Sequence, residues 1–142
     1  MKTIVLMTTL LFSLSTLAFN GSFKGEIQVE DSDGDIFTKE CQFSFVQNSE
    51  KIFIMESNYC LFGYFNFIVL DIKDGQLLKE GKVSGSVTDE TIQFNTILDG
   101  NESYEFFFKL LYPDLMSLRL NFHYTDSPQY PYHYFGDLEL VN

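Results

Sequence analysis

From residue 22 onward the chain alternates apolar and polar side chains with a period of two, and no stretch of useful length keeps the 3.6-residue period of an amphipathic helix. Turn signals such as Asp-Gly, Asp-Glu and Pro-Asp recur every ten to twelve residues. The pattern predicts strands near 22–30, 36–46, 51–57, 60–72, 77–88, 91–98, 103–111, 115–124 and 132–141.

Each hairpin register can be tested by asking whether apolar residues meet apolar ones, because a one-residue slip turns every side chain to the other face. Turning at Asp89-Glu90 sets Val87 against Ile92 and Gly85 against Phe94, with Ser84, Ser86, Gln93 and Asn95 collected on the other face. A three-residue loop at Asp99-Gly100-Asn101 sets Phe94 against Phe106 and Ile92 against Phe108. Turning at Tyr112-Pro113-Asp114 brings Leu110 to Met116, Phe108 to Leu118, Phe106 to Leu120 and Tyr104 to Phe122. A turn centred on Pro128 would pair Phe122 with Tyr134, Leu118 with Leu138, Met116 with Leu140, Arg119 with Asp137 and His123 with His133. The four hairpins agree on one apolar face.

The first strand puts Phe23, Gly25, Ile27 and Val29 on a similar face, and a three-residue loop ending in Gly34 aligns it with Phe37, Cys41, Phe43 and Phe45. Residues 61–72 are apolar on both faces, which predicts that they are covered on both sides or lie against another element. The expected fold is all-β, an antiparallel up-and-down meander of eight or nine strands closing into a small closed or partly open barrel, with a two-layer β-sandwich as the alternative. Gly25 and Gly136 sit where the closing strands would bend. The meander, its size and the single possible disulfide resemble the lipocalin-like group of barrels. That resemblance is architectural, since the group's Gly-x-Trp motif is absent from a chain with no Trp.

Residues 1–18 carry one early cation, Lys2, an apolar run from Ile4 to Phe12, and a segment ending in Thr16-Leu17-Ala18. This is the layout of a signal peptide, so the expected product is residues 19–142 as a single β-barrel domain, secreted or periplasmic. Cys41 and Cys60 suit an oxidising compartment and are expected to form a disulfide. A tight turn at 47–50 would leave them about 13 Å out of step along the strands, so the bridge requires a longer turn, a bulge or a bend near Ser57-Asn58.

Nine Lys+Arg against twenty Asp+Glu make the net charge −11, and no basic cluster is present, which argues against nucleic acid as a partner. The polar outward positions, among them Lys82, Ser84, Gln93, Glu105, Arg119 and Asn121, are opposite to what lipid requires, so no membrane span is expected in the mature chain.

The expected inward layer comprises Val83, Phe94, Tyr104, Phe106, Phe108, Leu118, Leu120, Phe122, Tyr134 and Leu138. So many rings can fill the interior completely or line a pocket for one apolar ligand. The only Arg, Arg119, points outward, which disfavours an internal carboxylate clamp. Tyr124, Tyr130, Tyr132 and Tyr134, with Pro128 and Pro131, form an aromatic end suited to stacking on a ligand or anchoring a partner. The candidate ligand-binding residues are therefore Tyr104, Phe106, Phe122, Tyr124, Tyr130, Tyr132 and Tyr134.

Two facing His residues would be a weak metal site without a third ligand such as Asp126, and Asp31, Asp33 and Asp35 are explained by turn chemistry as readily as by calcium. No metal site, cofactor motif or catalytic constellation is assigned. The expected function is a non-enzymatic barrel binding a small apolar or aromatic molecule. The alternative is an acidic interaction module engaging a basic protein, for example as an inhibitor of a cationic hydrolase.

Overall fold

A computed structural model describes residues 19–57, 60–61, 67–98 and 100–142, together with the backbone but not the side chain of Tyr130. The expected leader, Asp99 and much of the apolar 61–72 segment lie outside these. Ten strands are present among the described residues: β1 (Gly21–Glu30), β2 (Ile36–Gln47), β3 (Lys51–Glu56), β4 (Phe67–Lys73), β5 (Gln76–Lys79), β6 (Lys82–Val87), β7 (Thr91–Leu98), β8 (Glu102–Tyr112), β9 (Leu115–Tyr124) and β10 (Ser127–Leu140). Every strand pairs antiparallel with its sequence neighbours, and β1 pairs with β10, so the sheet closes into an up-and-down barrel.

The strand expected over 77–88 is in fact a hairpin. Glu80 and Gly81 both take positive φ (53° and 77°), as do Asp74 and Gly75 (52° and 76°). Two consecutive left-handed residues make the tight turn whose twist suits a two-residue hairpin, so β5 is cut out between two such turns.

The alternating pattern does position the core. Phe23, Ile27, Val29, Phe43, Phe45, Phe94, Tyr104, Phe106, Phe108, Leu118, Leu120, Phe122, Tyr134 and Leu138 are all buried. The registers expected at Asp89-Glu90, at 99–101 and at 112–114 are those observed, as is the first hairpin, where Phe23 lies opposite Phe43 and Gly25 opposite Cys41. At the β1–β10 seam a Cβ on Gly25 would fall 2.4 Å from the Asp137 carbonyl oxygen, so the closing strands approach there as only glycine allows.

Three expectations are corrected. The β9–β10 register is slipped by two residues, because an irregularity between Ser127 and Tyr132 takes up extra chain. Tyr132 therefore faces Phe122, Tyr134 faces Leu120 and Leu138 faces Met116, while Arg119 lies opposite Phe135 and not Asp137. His133 lies opposite Asn121, its Nδ1 2.7 Å from the Asn121 side-chain oxygen, so the two His residues do not face each other. Val83 is 61% exposed instead of inward: Leu77 pairs with Gly85 but Leu78 with Val83, leaving Ser84 as a bulge that reverses the face beyond it. Phe67, expected to be covered, is exposed.

Ring packing closes the base of the barrel, the end with the 48–50, 74–75, 88–90 and 113–114 turns. Phe19 is fully buried there, its ring 6.1 Å from Phe45, which in turn packs on Phe23 (6.1 Å) and Phe108 (5.0 Å). The opposite end, which we call the mouth, carries the 31–35, 80–81, 100–101 and 125–126 turns.

Candidate functional site: the tyrosine-rich mouth

Four adjacent strands build the aromatic cluster at the mouth. On β8, inward positions two apart hold Tyr104, Phe106 and Phe108, whose rings stack at 5.8 Å intervals down the wall. Phe94 on β7 stacks on Phe106 at 4.8 Å. On β9, Phe122 lies 4.9 Å from Tyr104, 5.1 Å edge-on from Tyr124, and 5.8 Å from Tyr132 of β10. Such spacings lie in the range where aromatic pairs attract beyond simple burial.

Six of the seven sequence-expected ligand residues are thus placed. Tyr104, Phe106, Phe122 and Tyr134 are buried, Tyr132 is partly buried, and Tyr124 is 39% exposed at the rim. The two-residue slip of β10 is what sets Tyr132 beside Phe122. Tyr130 belongs to β10, but its side chain lies outside the described residues.

Polar groups at this end are more numerous than the alternating pattern suggested. Tyr104 donates its hydroxyl to Glu102 Oε2 at 3.2 Å. Burial, then the Glu102 carboxylate, and further the nearby Tyr134 and Tyr124, push the Tyr104 phenol far above its ordinary range, so it stays a hydrogen-bond donor at all physiological pH.

Two lysines, neither of them among the residues expected to face inward, also sit on inward positions. Lys39, opposite Ile27 on β2, donates to the Cys60 carbonyl at 3.1 Å. Burial lowers its pKa, and the field of Glu56 partly opposes that. The buried Glu56 carboxylate accepts the Cys60 amide at 3.0 Å, so a charged pair brackets one residue of the chain. Lys79 on β5 reaches past β6 to Thr96 Oγ1 (2.6 Å) and the Ile97 carbonyl (3.1 Å) on β7. Continuing the period of two through β2 and β5 was the available signal for both; long side chains tolerate such places because the stem packs while the head finds carbonyls.

The disulfide expected between Cys41 and Cys60 is present, with Cα atoms 5.2 Å apart. The obstacle foreseen from a turn at 47–50 is removed twice over. Asn48 caps the turn through its side-chain oxygen to the amides of Glu50 and Lys51, which shifts the register by two and sets Phe43 opposite Glu56. The ladder then ends at the Ser57 amide, bonded to Gln42 at 3.0 Å, and the chain leaves strand geometry before Cys60.

At the 31–35 turn, Asp31 Oδ1 accepts the amides of Asp33 and Asp35 at 3.0 Å each, so Asp-Gly turn chemistry accounts for the acidic run.

No family model matches the chain, and neither does any curated protein sequence. Among solved structures, an S-type phycobiliprotein lyase from Guillardia theta superposes with a TM-score of 0.58 over 88% of this chain and 89% of that chain, at 16% identity. A redesigned β-barrel covers 88% of this chain and 93% of its own at 12% identity, with a TM-score of 0.48. A second redesigned barrel, bound to DFHBI, gives 0.44 at 15% identity over 86% of this chain and 94% of its own. At these identities the likeness is one of fold, and it places this chain among the closed antiparallel β-barrels.

Proposed function

We propose that this chain is an exported, non-enzymatic β-barrel that binds a small apolar or aromatic molecule at its tyrosine-rich mouth. The observation that carries the reading is the asymmetry of the two ends. The base is closed by Phe19, Phe23, Phe45 and Phe108, whereas the mouth gathers Tyr104, Phe122, Tyr124 and Tyr132, with the Tyr104 hydroxyl fixed against Glu102. Flat, rigid rings beside a few fixed polar groups are the usual composition of a small-ligand site. The polar groups support binding rather than turnover, since Tyr104 is held protonated against Glu102 and Glu56 is engaged by the Cys60 amide. Export rests on the leader pattern at 1–18 and on a disulfide, which persists in oxidising compartments.

Native mass spectrometry of the mature protein from its own exported fraction tests this. A reproducible small added mass, lost on Tyr124→Ala or Tyr132→Ala, supports it. A bare mass, with tyrosine fluorescence unresponsive to planar aromatic probes, overturns it; the chain has no Trp, so its emission comes from tyrosine.

A second reading is a protein-interaction module with a basic partner. It is favoured by an exposed apolar stripe across β2, β3 and β4 formed by Val46, Phe53, Met55 and Phe67, on a chain of net charge −11. Partner binding of that kind weakens steeply with salt, whereas apolar ligand uptake does not.

A further inference from the structure

The barrel wall is not uniformly laced. β5 and β6 pair up to Lys79↔Lys82, and β7 and β8 pair up to Leu98↔Glu102. Between these hairpins, β6 and β7 pair only from Val87↔Ile92 to Gly85↔Phe94, and among the described residues no ladder pair joins 82–84 to 95–98. The cause is local. Gly85 approaches β7 so closely that a Cβ would lie 1.9 Å from the Gln93 carbonyl oxygen, and the very next residue, Ser84, is the bulge that turns β6 away. Bulges commonly end pairing in this manner and re-aim side chains beside binding sites.

A groove of about 580 Å³ occupies the split, lined among others by Lys79, Lys82, Val83, Ser84, Thr96 and Ile97. Its chemistry is two-sided. Val83 and Ile97 are 61% and 55% exposed, an apolar strip beside the two lysines. Lys79 and Lys82 are cross-strand partners at its upper edge, two of only nine cations in the chain. The Lys79 ammonium is held by two neutral acceptors, Thr96 Oγ1 and the Ile97 carbonyl, and forms no ion pair among the described residues. An ammonium has three donors, so one remains, on a head group already fixed in place. Glu80, at the hairpin turn, lines the groove as well, so an anion must enter on the lysine side.

We propose that this split is a binding site for a small amphipathic carboxylate. Its carboxylate takes the third Lys79 donor and the Lys82 ammonium, and its hydrocarbon part lies on Val83 and Ile97. The site is on the barrel wall and stands independently of the tyrosine-rich mouth. It also runs against the protein's overall field, which attracts cations, so discrimination in favour of an anion is a property of the groove alone.

Octanoate is the probe, titrated below its micelle concentration into the ¹⁵N-labelled mature chain and followed by amide shifts. Saturable shifts are expected over 82–85 and 95–98, with octanamide and octylammonium silent at those amides. Lys79→Met should weaken octanoate about tenfold or more, and Lys82→Met, at an exposed position, about threefold. Tyr132→Ala should leave it unchanged. Shifts that fail to saturate, equal binding of octanamide or octylammonium, unchanged affinity in Lys82→Met, or shifts confined to 122–134 would each overturn the assignment.

Discussion

Replacing both Cys41 and Cys60 by Ala removes a cross-link between residues 19 apart in sequence. In the chain-entropy account, closing a loop of that length withdraws about 11 cal/mol/K from the unfolded ensemble, or about 3 kcal/mol at 25 °C. For the 124 residues from Phe19 onward, an unfolding entropy of about 2.1 cal/mol/K per residue converts this into a Tm fall of about 12 °C. Urea unfolding of residues 19–142 followed by near-UV circular dichroism measures the loss, and stopped-flow kinetics locate it. If the bridge acts through the unfolded state, the slope of free energy against urea rises and folding slows, while the unfolding rate changes little. The structure adds a second channel, because Cys60 is also gripped by Glu56 and Lys39 through its amide and carbonyl. Loss through that channel would appear as faster unfolding. A total loss below about 1 kcal/mol would refute the loop-closure reasoning.

Further tests follow from the packing and the site. Phe108, wedged between Phe43 (5.3 Å) and Phe45 (5.0 Å), should cost about 3–5 kcal/mol as Phe108→Ala, whereas the outer-face Phe53→Ala should stay within about 0.5 kcal/mol in the same urea assay. Gly85→Ala must drive a Cβ into the Gln93 carbonyl, so a loss of several kcal/mol or failure to fold is expected, and native-like melting would show that the β6–β7 approach is wrong. Because the folded Tyr104 phenol titrates far above its ordinary value of 10.0, its contribution to stability is complete below pH 10 and lost as pH rises beyond it. Spectrophotometric titration of the folded protein should therefore count the same number of tyrosines ionising near pH 10 in the wild type and in Tyr104→Phe; one fewer in the variant would show that Tyr104 titrates normally. Glu56→Gln keeps an acceptor for the Cys60 amide but removes the field that supports protonated Lys39, so the Lys39 pKa should fall further, as read by ¹⁵N-edited NMR of its ammonium.

Face assignment was legible in the sequence because side chains in a strand alternate strictly, and burial sorts them strongly. Ile92, Phe94, Tyr104, Phe106, Phe108, Leu118 and Phe122 all point where their parity says. The same test is blind to a slip of two, which preserves every face. That blindness placed His123 opposite His133 and Phe122 opposite Tyr134, and set Cys41 opposite Glu56, when the real partners lie two residues away. It is equally blind to a lone polar residue within an apolar run, so Lys39 and Lys79 were passed over although their positions face inward. The aromatic residues of the mouth were nameable, but their mutual arrangement depended on an irregularity between 127 and 132 that leaves no mark in hydropathy.

By itself, then, the sequence determined an antiparallel all-β meander, the inward set of rings, the acidic outer surface and four of the hairpin registers. These follow from local terms: side-chain period, turn chemistry and the free energy of burying apolar area. Only the tertiary structure decided the number of strands, the β9–β10 register, the disulfide geometry and the split beyond Ser84. Each of those depends on how bulges and bends are absorbed when all the strands must meet in one ring, a constraint that no single hairpin carries.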